Sequence, residues 1–152
     1  MAMYVCEFEF VTDEDGWILC WPFWPGRVDG TQGEGFDDAV EMAADWMRGM
    51  LLDYLARGEV IPKFPMGNAP RRGGGIVTLA VQASIEDVPA VTAKEAAGLL
   101  GVSNARVSQM CKARQLDSWT VGRTRMVSLE SIELRLAEER KAGRPRRELV
   151  EA

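Results

Sequence analysis

Thr92-Ala-Lys-Glu-Ala-Ala-Gly-Leu-Leu-Gly-Val-Ser103 reads as two short helices joined by a sharp bend. Thr92 is a strong N-cap, and Glu95, three residues on, completes a capping box. Ala93 to Leu100 forms the first helix. Gly101 ends it, because a tight turn between helices needs a residue that takes positive φ without a Cβ clash. Val102 plugs the turn, and Ser103 caps a second helix expected from Asn104 to about Arg114. Ala97 lies four residues before Gly101, where a small side chain lets the helices approach. Val107 and Met110 fall on the inward face of the second helix. That leaves Asn104, Arg106, Ser108, Gln109 and Lys112 on its outer side.

These residue types fit a duplex. Asn and Gln pair bidentately with adenine, Arg with guanine, and Ser or Lys with phosphate. Ser103 at the cap and the start of this helix would sit in the major groove. Downstream, Trp119 to Val127 reads as a hairpin around Gly122, with Arg123 and Arg125 near its tip as further DNA contacts. Ser128 caps a last helix, Leu129 to Ala142, with Leu129, Ile132 and Leu136 as its apolar stripe. From Ser103 to Val127 there are five bases and one acid. A helical pair used only for protein contacts would not require that bias.

Upstream the pattern changes. Tyr4, Cys6, Phe8 and Phe10 alternate with Val5, Glu7 and Glu9, the period of a half-buried strand whose glutamates face solvent. Asp13-Glu14-Asp15-Gly16 is a turn. Trp17 to Trp21 is a second strand, stopped by Pro22 and Pro25-Gly26, and Arg27 to Gln32 a short third. A helix from Phe36 to Arg57 follows. Its stripe is Phe36, Val40, Ala43, Met47, Leu51 and Leu55, with Asp37, Glu41, Asp45 and Arg48 opposite. Gly49 inside that helix marks close packing on a sheet, and Gly58 is a natural stop. Pro62 to Gly75 is a long loop, and Ile76 to Val81 a fourth strand. The expected domains are residues 1–83 and 91–142, joined by a linker at 84–90 and followed by a mobile basic tail at 143–152.

Composition bounds the function. Residues 1–60 hold 13 acids and 3 bases, whereas residues 61–152 hold 10 acids and 15 bases. A basic half suits a polyanion, and an acidic half suits a basic protein. No apolar run is long enough to span a membrane, and the N-terminus lacks the layout of a secretory signal. Cys6, Cys20 and Cys111 are odd in number and widely spaced, as in reduced cytoplasmic proteins. The absence of histidine removes the usual zinc sites and histidine-activated nucleophiles. No cofactor, metal or catalytic residue is expected.

Thr92 to Ser103, with Val107 and Val121-Gly-Arg-Thr-Arg-Met-Val127, resembles the excisionase and MerR-type winged helix-turn-helix over about 50 residues. The basic residue that family carries shortly after the serine is supplied here by Arg106 and Lys112. Residues 3–82 resemble the HicB antitoxins. The features are the two strands, the turn Pro22-Phe-Trp-Pro-Gly26, the acid- and alanine-rich helix and Ile61-Pro62. That resemblance implies an α+β protein, with an N-terminal β-β-β-α-β partial RNase H-like domain. It also implies an antitoxin that covers a small basic HicA-like RNase toxin and represses transcription at a double-stranded DNA operator. Trp21, Phe23, Trp24, Asp37, Glu41 and Asp45 are the candidate toxin-binding residues. A homodimer is expected, because one such module reads only a half-site.

Three rivals start from the same sequence. A metal-dependent nuclease would use Glu7, Glu9 and Asp15, but two-metal chemistry needs more converging carboxylates, and this fold ends after one helix. A ligand-sensing transcription regulator without a toxin would use Trp17, Trp21, Phe23 and Trp24 as an aromatic pocket. A phage-type regulator, a recombination accessory factor, is suggested only by the excisionase-like wing.

Overall fold

A computed structural model describes residues 2–142. The expected tail at 143–152 lies outside the described residues. The protein is α+β with antiparallel sheets, in two compact units that divide between Asp87 and Val88. The expected linker is therefore absorbed from both sides. Ile85–Asp87 forms one 3-10 turn that packs with the first unit, and Ala90–Thr92 is a strand of the second. Pieces of three residues carry no periodicity to read.

The first unit runs β1 (Ala2–Thr12), β2 (Trp17–Pro22), β3 (Thr31–Glu34), α1 (Phe36–Arg57) and β4 (Gly75–Ala83). Its sheet order is β3-β2-β1-β4, antiparallel throughout. The alternation in β1 sends Cys6, Phe8 and Phe10 into a core shared with Cys20, Leu79 and Val81 and with Ala39, Ala43, Met47 and Leu51 of α1. Small residues at 39 and 43 let the helix lie close to the sheet. A Cβ on Gly33 would fall 2.4 Å from the Ala39 nitrogen, so glycine is required there.

Four expectations need correction here. β3 begins at Thr31 rather than Arg27, because the Pro25-Gly26 turn holds the Arg27 N–H on the Trp24 carbonyl at 3.0 Å. Phe36 is 57% exposed and only edges onto Phe10, so Ala39 takes its place in the stripe. Gly49 marks no close packing, since a Cβ there would meet nothing within 4 Å. The glutamates of β1 do not face solvent. Glu9 is 0% exposed and Glu7 7%.

The cover over those glutamates is the long loop between α1 and β4. The Gly67 and Asn68 N–H groups donate to Glu7 at 3.0 and 2.8 Å, and the Asn68 side-chain amide adds a third bond at 2.7 Å. The Arg71, Arg72 and Gly74 N–H groups donate to Glu9 at 2.8, 2.7 and 3.0 Å. The loop thus runs in the same direction as β1, from Glu7 towards Phe10, before β4 turns back opposite Phe10 at Gly75. The loop makes the length-wise traverse, and this is why β4 is antiparallel to β1. Gly73 takes φ 73° at the reversal, and a Cβ on Gly74 would fall 2.2 Å from the Phe10 carbonyl oxygen. Only glycine fits such an approach.

The second unit runs β5 (Ala90–Thr92), α2 (Ala93–Leu100), α3 (Asn104–Lys112), β6 (Ser118–Val121), β7 (Thr124–Ser128) and α4 (Leu129–Ala142). A three-stranded sheet, β5-β7-β6, closes one side. Ala96, Ala97, Leu100, Val107, Met110, Leu116, Val127 and Ile132 form its core. Ser128 caps α4 through the Ser131 N–H at 3.2 Å.

Candidate nucleic-acid interface

The bend that presents α3 is built from local bonds. The Thr92 hydroxyl oxygen accepts the Glu95 N–H at 3.2 Å, and the hydroxyl donates to the Glu95 carboxylate at 3.0 Å. Gly101 takes φ 67°, and the Val102 N–H reaches back to the Ala97 carbonyl at 3.0 Å. The Ser103 hydroxyl oxygen accepts the Arg106 N–H at 3.1 Å. Val107 and Met110 are buried beneath, as their spacing requires, and Cys111 joins them. α3 ends at Lys112, two residues before the expected Arg114. Arg114 instead takes φ 56°, a conformation that stops a helix.

The outer side of α3 is open. Ser103, Asn104, Arg106, Ser108, Gln109 and Lys112 are all exposed. β6 and β7 meet in a two-residue turn, with Val121 opposite Thr124 and Gly122 at φ 61°. This is the positive φ that tight hairpins demand at their first turn position. Arg123 is exposed at that turn, and Arg125, one residue into β7, is half-buried. Among the described residues, none of Arg106, Lys112, Arg114, Arg123 or Arg125 forms an ion pair. Unpaired guanidinium and ammonium groups beside exposed Asn and Gln are the chemistry of phosphate and base-edge contact.

The candidate partner residues of the first unit divide. Asp37, Glu41 and Asp45 are exposed along α1. Trp24 is 2% exposed and packs with Trp46, Tyr54 and Phe64, so it is core and offers no surface to a partner. Phe23 is also buried, under the Arg71 guanidinium 5.3 Å from its ring centroid. Trp21 is half-buried, with Arg72 3.9 Å above its ring. The long loop closes over these aromatics as it closes over the glutamates. Trp17 lies at the other end of β2 from Trp21, opposite Glu34.

Sequence reasoning missed Glu7, Glu9, Arg71 and Arg72 as a set. Alternation placed the glutamates on the outer face, and nothing local indicates that a loop 60 residues away returns to them. The carboxyls are held ionised. Glu7 lies below its ordinary range because the Asn68 and Gly67 N–H groups and the Asn68 amide donate to it. Burial pushes Glu9 upward, but the N–H groups of Arg71, Gly74 and Arg72 and the Arg72 charge outweigh it, so it too is lowered. Among the described residues no cluster of three histidine, cysteine or acidic side chains is arranged to hold a metal ion. The three cysteines are free and buried. Burial pushes the Cys6 thiol up to about 12 and Cys20 to about 11, which makes them neutral packing groups. Among the described residues no helix is long and apolar enough to cross a membrane. Comparison of the chain with known protein families, curated proteins and solved structures finds no match.

Proposed function

We propose that the chain is a cytoplasmic repressor of the HicB antitoxin type, whose second unit is a winged helix-turn-helix that reads an operator and whose first unit covers a small basic HicA-like RNase. The observation that carries this reading is the outer side of α3. Six polar or basic side chains stand exposed above a buried Val107–Met110–Cys111 face, with Arg123 at the tip of the adjoining hairpin. Docked N-terminus first in the major groove, α3 brings Asn104, Arg106 and Gln109 to base edges, while Ser103, Ser108, Lys112 and the hairpin arginines meet phosphates. Two copies would read a palindrome.

The antitoxin half rests on the first unit. Its element order is β-β-β-α-β, the order implied for a partial RNase H-like domain, and its helix shows an exposed acidic line at Asp37, Glu41 and Asp45. That line suits a basic partner better than the aromatic residues do, since Trp24 and Phe23 are covered.

The test is a mobility-shift titration with the DNA upstream of the protein's own gene. Arg106→Ala and Gln109→Ala should each weaken binding by about 5- to 100-fold, the loss of one bidentate base contact. Unchanged affinity and salt dependence in both would sink the recognition helix. The gene neighbourhood tests the other half. If no short basic protein is encoded beside this chain, the antitoxin reading fails and the repressor reading stands.

A further inference from the structure

Beside the covered aromatics lie two adjoining cavities that the repressor reading does not use. One, of about 320 Å³, is mainly apolar and is walled by Leu19, Cys20, Val28 and Thr31. The other, of about 100 Å³, is walled by Phe23, Arg27, Arg71 and Arg72. Trp21, Val28 and Asp29 belong to both walls.

We propose that this place in the first unit binds a small organic anion, a phosphate or carboxylate carried on a compact apolar body. The apolar body occupies the larger cavity and the oxyanion the smaller one. Three arginines line the smaller cavity, and two of them are held in place by contacts within the fold. The Arg71 and Arg72 backbones are tied to the buried Glu9 carboxylate, and their side chains lie over Phe23 and Trp21. Fixing a long side chain in advance removes the ordering entropy that binding otherwise costs. The planar guanidinium donates in a fork that matches carboxylate and phosphate oxygens. Among the described residues those forks are largely unused. Arg27 has only a marginal pairing with Asp29 at 3.9 Å, and Arg71 and Arg72 have no ion pair. The Trp21 indole N–H is shielded from solvent and, among the described residues, meets no acceptor.

The surroundings set the size of the ligand. Residues 1–60 carry 13 acids against 3 bases, and Asp29 stands in the wall itself. A long polyanion such as nucleic acid is repelled by that excess, whereas one oxyanion meets three arginines set against Asp29 and the amide-bonded Glu9. The apolar cavity falls at the lower end of the range for small-molecule pockets.

Nitrogen-15 NMR of the full chain, titrated with phenyl phosphate, benzoate, inorganic phosphate and benzyl alcohol, tests the proposal. Phenyl phosphate or benzoate should shift the Trp21 indole N–H and the Arg72 Nε–H saturably, with a Kd below about 1 mM. Inorganic phosphate and benzyl alcohol, each carrying half of the recognised chemistry, should bind at least about tenfold more weakly. Arg71→Gln/Arg72→Gln should weaken the better anion by at least about tenfold, with the backbone N–H groups of residues 71, 72 and 74 still protected from hydrogen exchange because they remain bonded to Glu9. Arg27→Gln, which leaves those contacts alone, should weaken it as well. Absence of saturable shifts, equal affinity for inorganic and phenyl phosphate, or unaltered binding in both variants would overturn the site.

Discussion

Thr92 and Ser103 in the second unit and Glu7 and Glu9 in the first perform one task at different sequence distances. Each places a side-chain oxygen against backbone N–H groups that lack a carbonyl partner. In the second unit the oxygen is a hydroxyl and the N–H lies three residues on. In the first unit the oxygens belong to buried carboxylates, and the N–H groups lie 60 to 65 residues on. A local cap shapes one helix end and leaves the rest of the chain free. A distant carboxylate fixes a whole loop, and through it the direction of β4. The first arrangement is tuned one cap at a time, whereas the second stands or falls as a unit.

The largest expected effect follows from removing the distant anchor. Glu9→Ala leaves the Arg71, Arg72 and Gly74 N–H groups facing a buried gap with no acceptor, and unsatisfied buried donors are among the costlier defects of a folded chain. The melting temperature of the first unit should fall by on the order of 10 °C. Trypsin should begin to cut after Arg71 or Arg72. Trp119, the one tryptophan of the second unit, should report no change in its own transition. A variant as resistant to trypsin as the wild type would show that the loop is held by its other contacts, the Phe64–Trp24 packing first among them.

Acid provides the next test, because carboxylates titrate where hydroxyls do not. Glu7 and Glu9 are both lowered in the folded protein, Glu7 by the Asn68 and Gly67 donors, and Glu9 by its own donors acting against burial. A carboxyl with a depressed folded pKa stabilises fully above its unfolded pKa, about 4.3 for glutamate. That stabilisation is lost as the pH falls through the folded values. Protection of the Gly67 and Gly74 amides from hydrogen exchange, measured against the intrinsic rate at each pH, should therefore fall below about pH 4. The Glu95 and Arg106 amides, bonded to hydroxyls, should show no step of that origin. A parallel loss of protection at all four amides would mean that the two kinds of anchor do not differ in the way their chemistry requires.

The same contrast explains what the sequence revealed. Thr92, Gly101, Ser103 and Gly122 each signal a structure completed within four residues, and the bend, both caps and the hairpin fall where those signals place them. The alternation of β1 correctly assigned each residue to a face but could not say what covers the outer one. Hydrophobic period distinguishes two faces and treats a polar one as wet. Glu7 and Glu9 break that rule because loop amides replace water. The misplaced aromatic surface has the same source. Trp24 sits in a Pro-rich turn with no periodicity, and its neighbours in space, Trp46, Tyr54 and Phe64, lie 22 to 40 residues away. The start of β3 failed for a local reason, the Arg27-to-Trp24 turn bond, which a Pro25-Gly26 pair could have announced.

The smallest effect is the most discriminating for the local side of the contrast. Ser103→Ala removes the acceptor for the Arg106 N–H and should destabilise the second unit by about 1 kcal/mol, whereas Ser103→Gly should cost only about a few tenths, since glycine is itself tolerated at an N-cap. Both substitutions also remove the Ser103 hydroxyl proton, which is free to reach a phosphate because only the oxygen serves the cap. Stability and operator affinity should consequently separate. Thermal melts should rank wild type and Ser103→Gly together above Ser103→Ala, while mobility shifts should rank both variants together below wild type. If affinity instead follows stability across the three proteins, Ser103 shapes α3 without touching DNA. If Ser103→Ala melts with the wild type, packing of Val107 and Met110 alone fixes the start of α3, and the local cap does not perform the work that the distant carboxylates do in the other unit.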